Sequence, residues 1–449
     1  MEIDRLKGSW QEVVRIAAPA VLESLFLSLT VMIDTIMVSS LGKYAVAAVG
    51  LTAQPKFFFL TVYIAMSVSV SALVARRKGE NDQEAANETL LTALILSVIF
   101  CVIISFVSVV FAFPILELAG SNEETHEASV LYFRIIMGGM FFNIISIIIN
   151  AAQRGSGNTH IAFTTNFVST ITNIFFNYVL IGGNLGFPKW GIAGAAIATV
   201  LGTVAAFVMS VASLFRKESF VQITYMIEHK VKASLKTVGS IFNLASSIAL
   251  ENLAMRVGFA TTAFTAARLG TTSFATHQAG MNILSLGFAF ADGMQVAAVT
   301  LTGQSLGAKN KPLAKKFGDT CQKIGFLISV ALAIFLFFAG DKIFKLYFDD
   351  PVAVKKGTMI ARFIMVIVLA QISQIIFAGA LRAAGDVKYT LFVSIVSVTV
   401  IRTLITIVLV RLFHLGLVGI WCGILSDQAS RFFLFRHRYK QGKWLDIKI

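Results

Sequence analysis

Runs of about 20 apolar residues recur from one end of this 449-residue chain to the other. That recurrence constrains the fold more than any motif, because a soluble domain has nowhere to bury so many of them. Hydrophobic residues make up 56% of the chain and charged residues only 14%, too few to cover a core of this size. The bilayer is the expected solvent and an all-α membrane bundle the expected fold. Twelve spans are read at 12–40, 52–75, 90–113, 130–151, 161–181, 191–215, 238–267, 283–306, 321–339, 358–380, 389–410 and 416–435. The first residues are too charged, and the following apolar run too long, for a cleaved secretory signal.

An even number of spans places both termini on one side. Lys and Arg concentrate on that side: Arg76–Lys78, Arg216 to Lys236, Lys309 to Lys316, and Arg436 to Lys443. The opposite side carries a scatter that includes Lys56, Lys189, Arg268 and Arg411. This bias predicts cytoplasmic termini in the cell membrane and puts the acidic stretch 117–129 outside. It also accounts for the net charge of +14 without a nucleic-acid partner. The three cysteines, Cys101, Cys321 and Cys422, lie in or beside apolar runs and read as small buried hydrophobes. No loop is long enough for a catalytic domain, so neither an enzyme, a cofactor nor a metal site is expected. The "RGSGNT" run at 154–159 lacks the spacing of a phosphate loop and reads as a tight turn between spans 4 and 5.

The chain is also a duplication. Sliding it along itself by one constant offset lays Glu23 on Glu251, Leu41–Gly42 on Leu269–Gly270, Gly79 on Gly307, Arg154 on Arg382 and Gly157 on Gly385. Shared Leu and Ile mean little in membrane helices; Glu, Arg and Gly repeating at one offset mean more. The expected domains are an N-lobe at 1–215, a cytoplasmic linker at 216–237 and a C-lobe at 238–449. Each lobe has six spans of the same topology, so a pseudo-twofold along the membrane normal and a cleft suited to transport are expected.

Pro19 and Asp34 in span 1, "DTIMVSSLG", "AVAAVG" (45–50), the turns "AAQRGSGNTH" (151–160) and "ALRAAGDVKYT" (380–390), and "WGIAGAAIAT" (190–199) together resemble the multidrug and toxic compound extrusion (MATE) family over nearly the whole chain. Its DinF-like and archaeal members are the most similar. The resemblance implies a V-shaped pair of six-helix lobes that exports amphipathic, often cationic, drug-like compounds in exchange for H⁺ or Na⁺, as a monomer. It also implies an N-lobe cation site at Asp34, Asn173, Asn177 and Thr199, with Pro19 able to bend span 1. Asn177 stands where the family often has Asp, which leaves Asp34 as the carboxylate of that site and favours protonation. A second branch of the family places its acids in the C-lobe. Here Glu251 fits in span 7 and Asp292 lies near the span 8 position, but span 10 carries Gln371 and Gln374 instead of an acid.

An ionisable group near the middle of a span costs ~2.5–3.5 kcal/mol on insertion scales and is a functional candidate by default. Apolar surroundings favour the neutral form of Asp34 and a hydrated cavity its carboxylate, the behaviour that proton coupling needs. Its repeat partner is Thr262, so the acid occurs in one half. Glu23 and Glu251 are symmetric. Glu23 lies roughly 16 Å from Asp34 along one helix face. These two glutamates either line the cytoplasmic half of the cleft or neutralise arginines within the bundle. Arg256 and Arg402 are expected to pair with Asp292 and Glu251. Met32, Met37, Met66, Met137 and Met140 are candidates for lining an adaptable substrate cavity. The alternatives are a flippase of lipid-linked precursors, which would favour a strongly cationic cavity, and a channel, for which no repeated pore signature is present.

Overall fold

The computed structural model describes residues 2–447, with side chains from residue 9 onward except Lys43. All regular structure among the described residues is helical. The first half comprises α1 (Glu2–Ser39), α2 (Lys43–Gly79), α3 (Gln83–Val110), α4 (Ala112–Leu118), α5 (His126–Gly138), α6 (Met140–Gly155), α7 (Thr159–Gly182), α8 (Gly191–Ser213) and the short α9 (Ile223–Glu228). The second half comprises α10 (Leu235–Arg268), α11 (Thr271–Gly307), α12 (Lys311–Tyr347), α13 (Pro351–Ala383), α14 (Val387–Ser394), α15 (Thr403–Ile407) and α16 (Gly416–Gln441). One π-helical segment, Ile395–Arg402, joins α14 to α15 and a second, Val408–Leu412, extends α15, giving one continuous span, Val387–Leu412.

Among the described residues, eight helices are long and apolar enough to cross a bilayer, and nine if α5 and α6 count as one bent span. The three other long helices are α7, α10 and α16. Their apolar windows are interrupted by Asn166, Asn173 and Asn177, by Glu251 and Arg256, and by Asp427 and Arg431 respectively. With these three, every span read from the sequence has a helix at its place.

By packing, residues 22–246 form one compact unit, and residues 1–21 with 247–449 form the other. Val13, Ile16 and Ala17 of α1 join a core with Met294, Ala298 and Ile376, which is why the start of α1 goes with the second unit. The segment read as a linker is anchored in the first unit. Gln153 on α6 donates to Ser219 at 3.0 Å, and the Gln222 N–H donates to Asn87 at 2.8 Å.

The duplication persists in the turns. Gly42 precedes α2 at φ +99° and Gly270 precedes α11 at φ +101°, a conformation that penalises a Cβ. Asp82 caps α3 by accepting from the Ala85 N–H at 2.9 Å, and Asn310 caps α12 by accepting from Leu313 at 3.1 Å. Both pairs stand at the repeat offset that relates Glu23 to Glu251. One feature is not repeated: span 4 breaks between α5 and α6 with a bend of 48°. Gly138 and Gly139 sit at the break, and a Cβ on Gly139 would lie 2.6 Å from Val200 of α8, so a larger residue would push the two helices apart. The partner positions are Val366 and Ile367, inside the unbroken α13.

The symmetric glutamates neutralise arginines. Arg154 lies 2.7 Å from Glu23, and the Asn166 amide donates to the same carboxylate at 2.7 Å. In the second unit Arg382 lies 2.8 Å from Glu251, and Ser394 and Thr390 donate to it at 2.6 and 3.1 Å. Glu, Arg and the donor at the Asn166 position each recur at the repeat offset. Breaking such a buried pair leaves an uncompensated charge, so Arg382→Met should destabilise by about 3–5 kcal/mol. The double variant Glu251→Gln/Arg382→Met should recover most of that loss. Thermal unfolding in detergent checks both values, and a neutral single variant would contradict the assignment.

Candidate functional site

The unit at 22–246 contains a cavity of about 230 Å³. Asp34 on α1, Lys56 and Thr52 on α2, Tyr132 on α5, Asn177 on α7 and Thr199 on α8 all line it. Every span of the first half except α3 thus contributes to its wall. Asn173 and Asn177 are four apart, and so share one face of α7.

The Asn177 amide donates to Asp34 Oδ1 at 2.7 Å. The Asn173 amide fits the network in the orientation that donates to the same oxygen at 2.6 Å, with its own oxygen 3.2 Å from the Thr199 N–H. The Thr199 hydroxyl donates to the Ala195 carbonyl at 3.0 Å, and Tyr132 lines the cavity beside it. The four residues expected to form the cation site are therefore one connected group. Lys56 interacts electrostatically with Asp34 across the cavity.

Lys56 corrects the sequence reading, which counted it among the cations of the outer side. Helix α2 starts at Lys43, more than three helical turns earlier, so Lys56 lies within the bundle. Tyr132 was also missed, because an aromatic in an apolar run carries no distinguishing signal. Pro19 is buried within the continuous α1, where it removes the hydrogen bond that its N–H would make to Arg15. Of the five methionines, Met66, Met137 and Met140 are buried core residues and Met32 is exposed; none lines this cavity. Glu23 is bound to Arg154, away from Asp34. Asp292 on α11 interacts electrostatically with Arg382.

The expected partners of Arg402 were wrong. Glu251 is occupied by Arg382, and Arg402 instead reaches Asp427 of α16 at 3.4 Å and the Thr262 hydroxyl at 2.8 Å. Arg431 adds a 2.7 Å contact to Asp427, and the Arg402 guanidinium stacks over Phe259 at 4.7 Å. Thr262 and Asp427 are the repeat counterparts of Asp34 and Thr199. Acid and threonine have thus exchanged helices between the two units. The acid in the second unit is closed off by two arginines, whereas Asp34 faces amides, a lysine and open volume.

A multi-span helical bundle with a polar cavity buried among its spans is built for transport across a membrane rather than for catalysis. The MatE family model matches residues 19–179 and 247–408, and the chain belongs to this family. The second match starts at the repeat offset from the first but ends one position beyond it. The chain is 25% identical to the "Probable multidrug resistance protein NorM" of Thermotoga maritima over 97% of its own length and 93% of that protein. It is 25% identical to the "Probable multidrug resistance protein YoeA" of Bacillus subtilis over 97% and 94%. A MATE family transporter of the MOP superfamily, solved in the outward-facing conformation, superposes with a TM-score of 0.89 at 24% identity over 97% of both chains. A MOP superfamily transporter from Pyrococcus furiosus superposes at 0.87 with 25% identity over 97% of both chains; its binding pocket is described as having reversed polarity, suggesting a different function.

Removing the Asn177 amide takes a donor from a charged acceptor, which costs about 1.5–3 kcal/mol. Asn177→Leu should lower the thermal midpoint accordingly, while in an Asp34→Asn background the same change should cost much less. Equal losses in both backgrounds would show that Asn177 does not act through Asp34.

Proposed function

We propose that this protein is a secondary multidrug exporter of the cell membrane, with cytoplasmic termini, that expels amphipathic, often cationic compounds in exchange for H⁺ carried by Asp34. One observation carries the reading: Asp34 shares its cavity with Lys56 and with hydrogen-bonding amides from Asn173 and Asn177. One carboxylate beside one ammonium leaves no net negative charge to retain Na⁺ against its hydration. Proton exchange needs only the one carboxylate. The relatives' names and the family support the substrate class.

Deprotonated Asp34 is held by the amides and by Lys56, and a cationic substrate competes with Lys56 for it. Protonation from outside removes the charge and so releases the substrate. The amide donors lose an ionic acceptor at the same moment, and α1 then bends at Pro19, where its backbone ladder is already interrupted. Loss of the proton to the cytoplasm restores the starting state. The flippase alternative would favour a strongly cationic cavity, and this one pairs an acid with a base.

The test is efflux of a cationic dye from proteoliposomes under an imposed pH gradient. Asp34→Asn should reduce efflux to that of empty vesicles while inserting and unfolding as the parent does. Lys56→Gln should retain pH-driven efflux and bind the dye severalfold more tightly. Normal efflux by Asp34→Asn would refute the proposal, and unchanged dye binding by Lys56→Gln would remove Lys56 from it.

A further inference from the structure

A second cavity, of about 590 Å³, opens on the unit formed by 1–21 and 247–449, far along the chain from Asp34. It lies at the end of the bundle where α12 begins and where α13 and α16 finish. Helix α13 packs between α12 and α16 there, with Phe377 7% exposed and in ring contact with Phe432 and Tyr439 at 6.3 and 5.0 Å. Tyr439 ties the walls together by donating to the Lys315 carbonyl at 3.0 Å.

The walls change character along their length. On α12 the lining residues run Lys315, Lys323, Phe326; on α16 they run Lys440, Arg436, Phe432. Their spacings of three, four and eight keep each set on one helix face. Both sets pass from cations near the helix end to phenylalanine deeper in the span. Lys315, Lys323, Arg436, Lys440 and Phe326 are all exposed, Phe326 by 52%. Asp319 is the acid in the lining, against four cations, and it interacts with Lys315 and Lys323. Arg436 lies over the Phe432 ring at 5.7 Å.

We infer that this groove is a binding site for an anionic phospholipid, whose phosphate headgroup meets the cations and whose upper acyl chain lies on Phe326 and Phe432. The polarity gradient fits no soluble anion, because a free phosphate would leave the aromatic floor uncovered. It does fit a molecule that is anionic at one end and apolar at the other. The end of the bundle concerned is the one whose loops carry the Lys and Arg excess, where a basic pocket between spans is suited to anionic headgroups. This site is independent of Asp34 and of the coupling ion.

The test is native mass spectrometry of the full-length protein in detergent, titrated with phosphatidylglycerol, phosphatidylcholine or inorganic phosphate. A bound phosphatidylglycerol should persist where phosphatidylcholine dissociates, and phosphate should not displace it. Retention should fall about fivefold for each cation removed in Lys323→Gln/Arg436→Gln/Lys440→Gln. It should be unchanged in Lys342→Gln/Lys345→Gln, which alters exposed lysines at the other end of α12. The single substitution Lys440→Gln serves if the triple variant does not fold. Equal retention of the two lipids, displacement by phosphate, or retention unaffected by the groove variants would each overturn the assignment.

Discussion

A charge inside a membrane bundle must be matched locally, because neither lipid nor bulk water solvates it. Much of the polar structure of this protein follows from that requirement. Glu23 and Glu251 are matched by Arg154 and Arg382 at 2.7 and 2.8 Å, one pair in each unit. Asp427 is matched by Arg402 and Arg431. In each case the acid is fixed by a guanidinium with little freedom to move. Asp34 is matched by neutral amide donors and by a lysine across a cavity, an arrangement that tolerates loss of the charge. Glu23, Glu251 and Asp427 are buried against their arginines, whereas Asp34 lines a cavity, so both partners and surroundings set Asp34 apart.

The exchange of acid and threonine between the two units sharpens this point. Asp34 and Thr199 in the first unit correspond to Thr262 and Asp427 in the second. The same pair of helix positions therefore holds one acid in each half, once on the first helix of the unit and once on the last. In the second unit Arg402, at the end of the π segment Ile395–Arg402, donates to Thr262 and closes the site with a guanidinium. In the first unit the corresponding face of α7 carries Asn173 and Asn177. A duplicated bundle has thus kept a symmetric frame of Glu–Arg pairs while its two central sites have taken different chemistry.

The helices and the duplication were legible because their causes are local. Apolar length sets the spans, and a cap or a positive-φ glycine ends them, as at Asp82 and Asn310 or Gly42 and Gly270. Asp34, Asn173, Asn177 and Thr199 were recognised from the family resemblance, and the structure brings them together. Lys56 was not legible, because it stands at the edge of the apolar run read as span 2 and was counted with the outer cations, whereas α2 starts at Lys43, more than three turns before Lys56. Asp427 was hidden beside the charged residues that end α16. The partner of Arg402 was missed because Asp427 was never weighed as a buried acid, and Glu251 is taken by Arg382. None of the five methionines lines the Asp34 cavity, since apolar side chains in a bundle carry no mark that separates cavity from lipid or core.

The central claim is that Asp34 couples export to protons and not to Na⁺. Proteoliposomes containing the parent protein and loaded with a cationic dye test it most directly, with a pH gradient and a Na⁺ gradient imposed separately. Dye movement against its concentration gradient under the pH gradient alone, and none under the Na⁺ gradient at equal pH, is the predicted result. Uphill movement driven by Na⁺ with pH equal on both sides would contradict it.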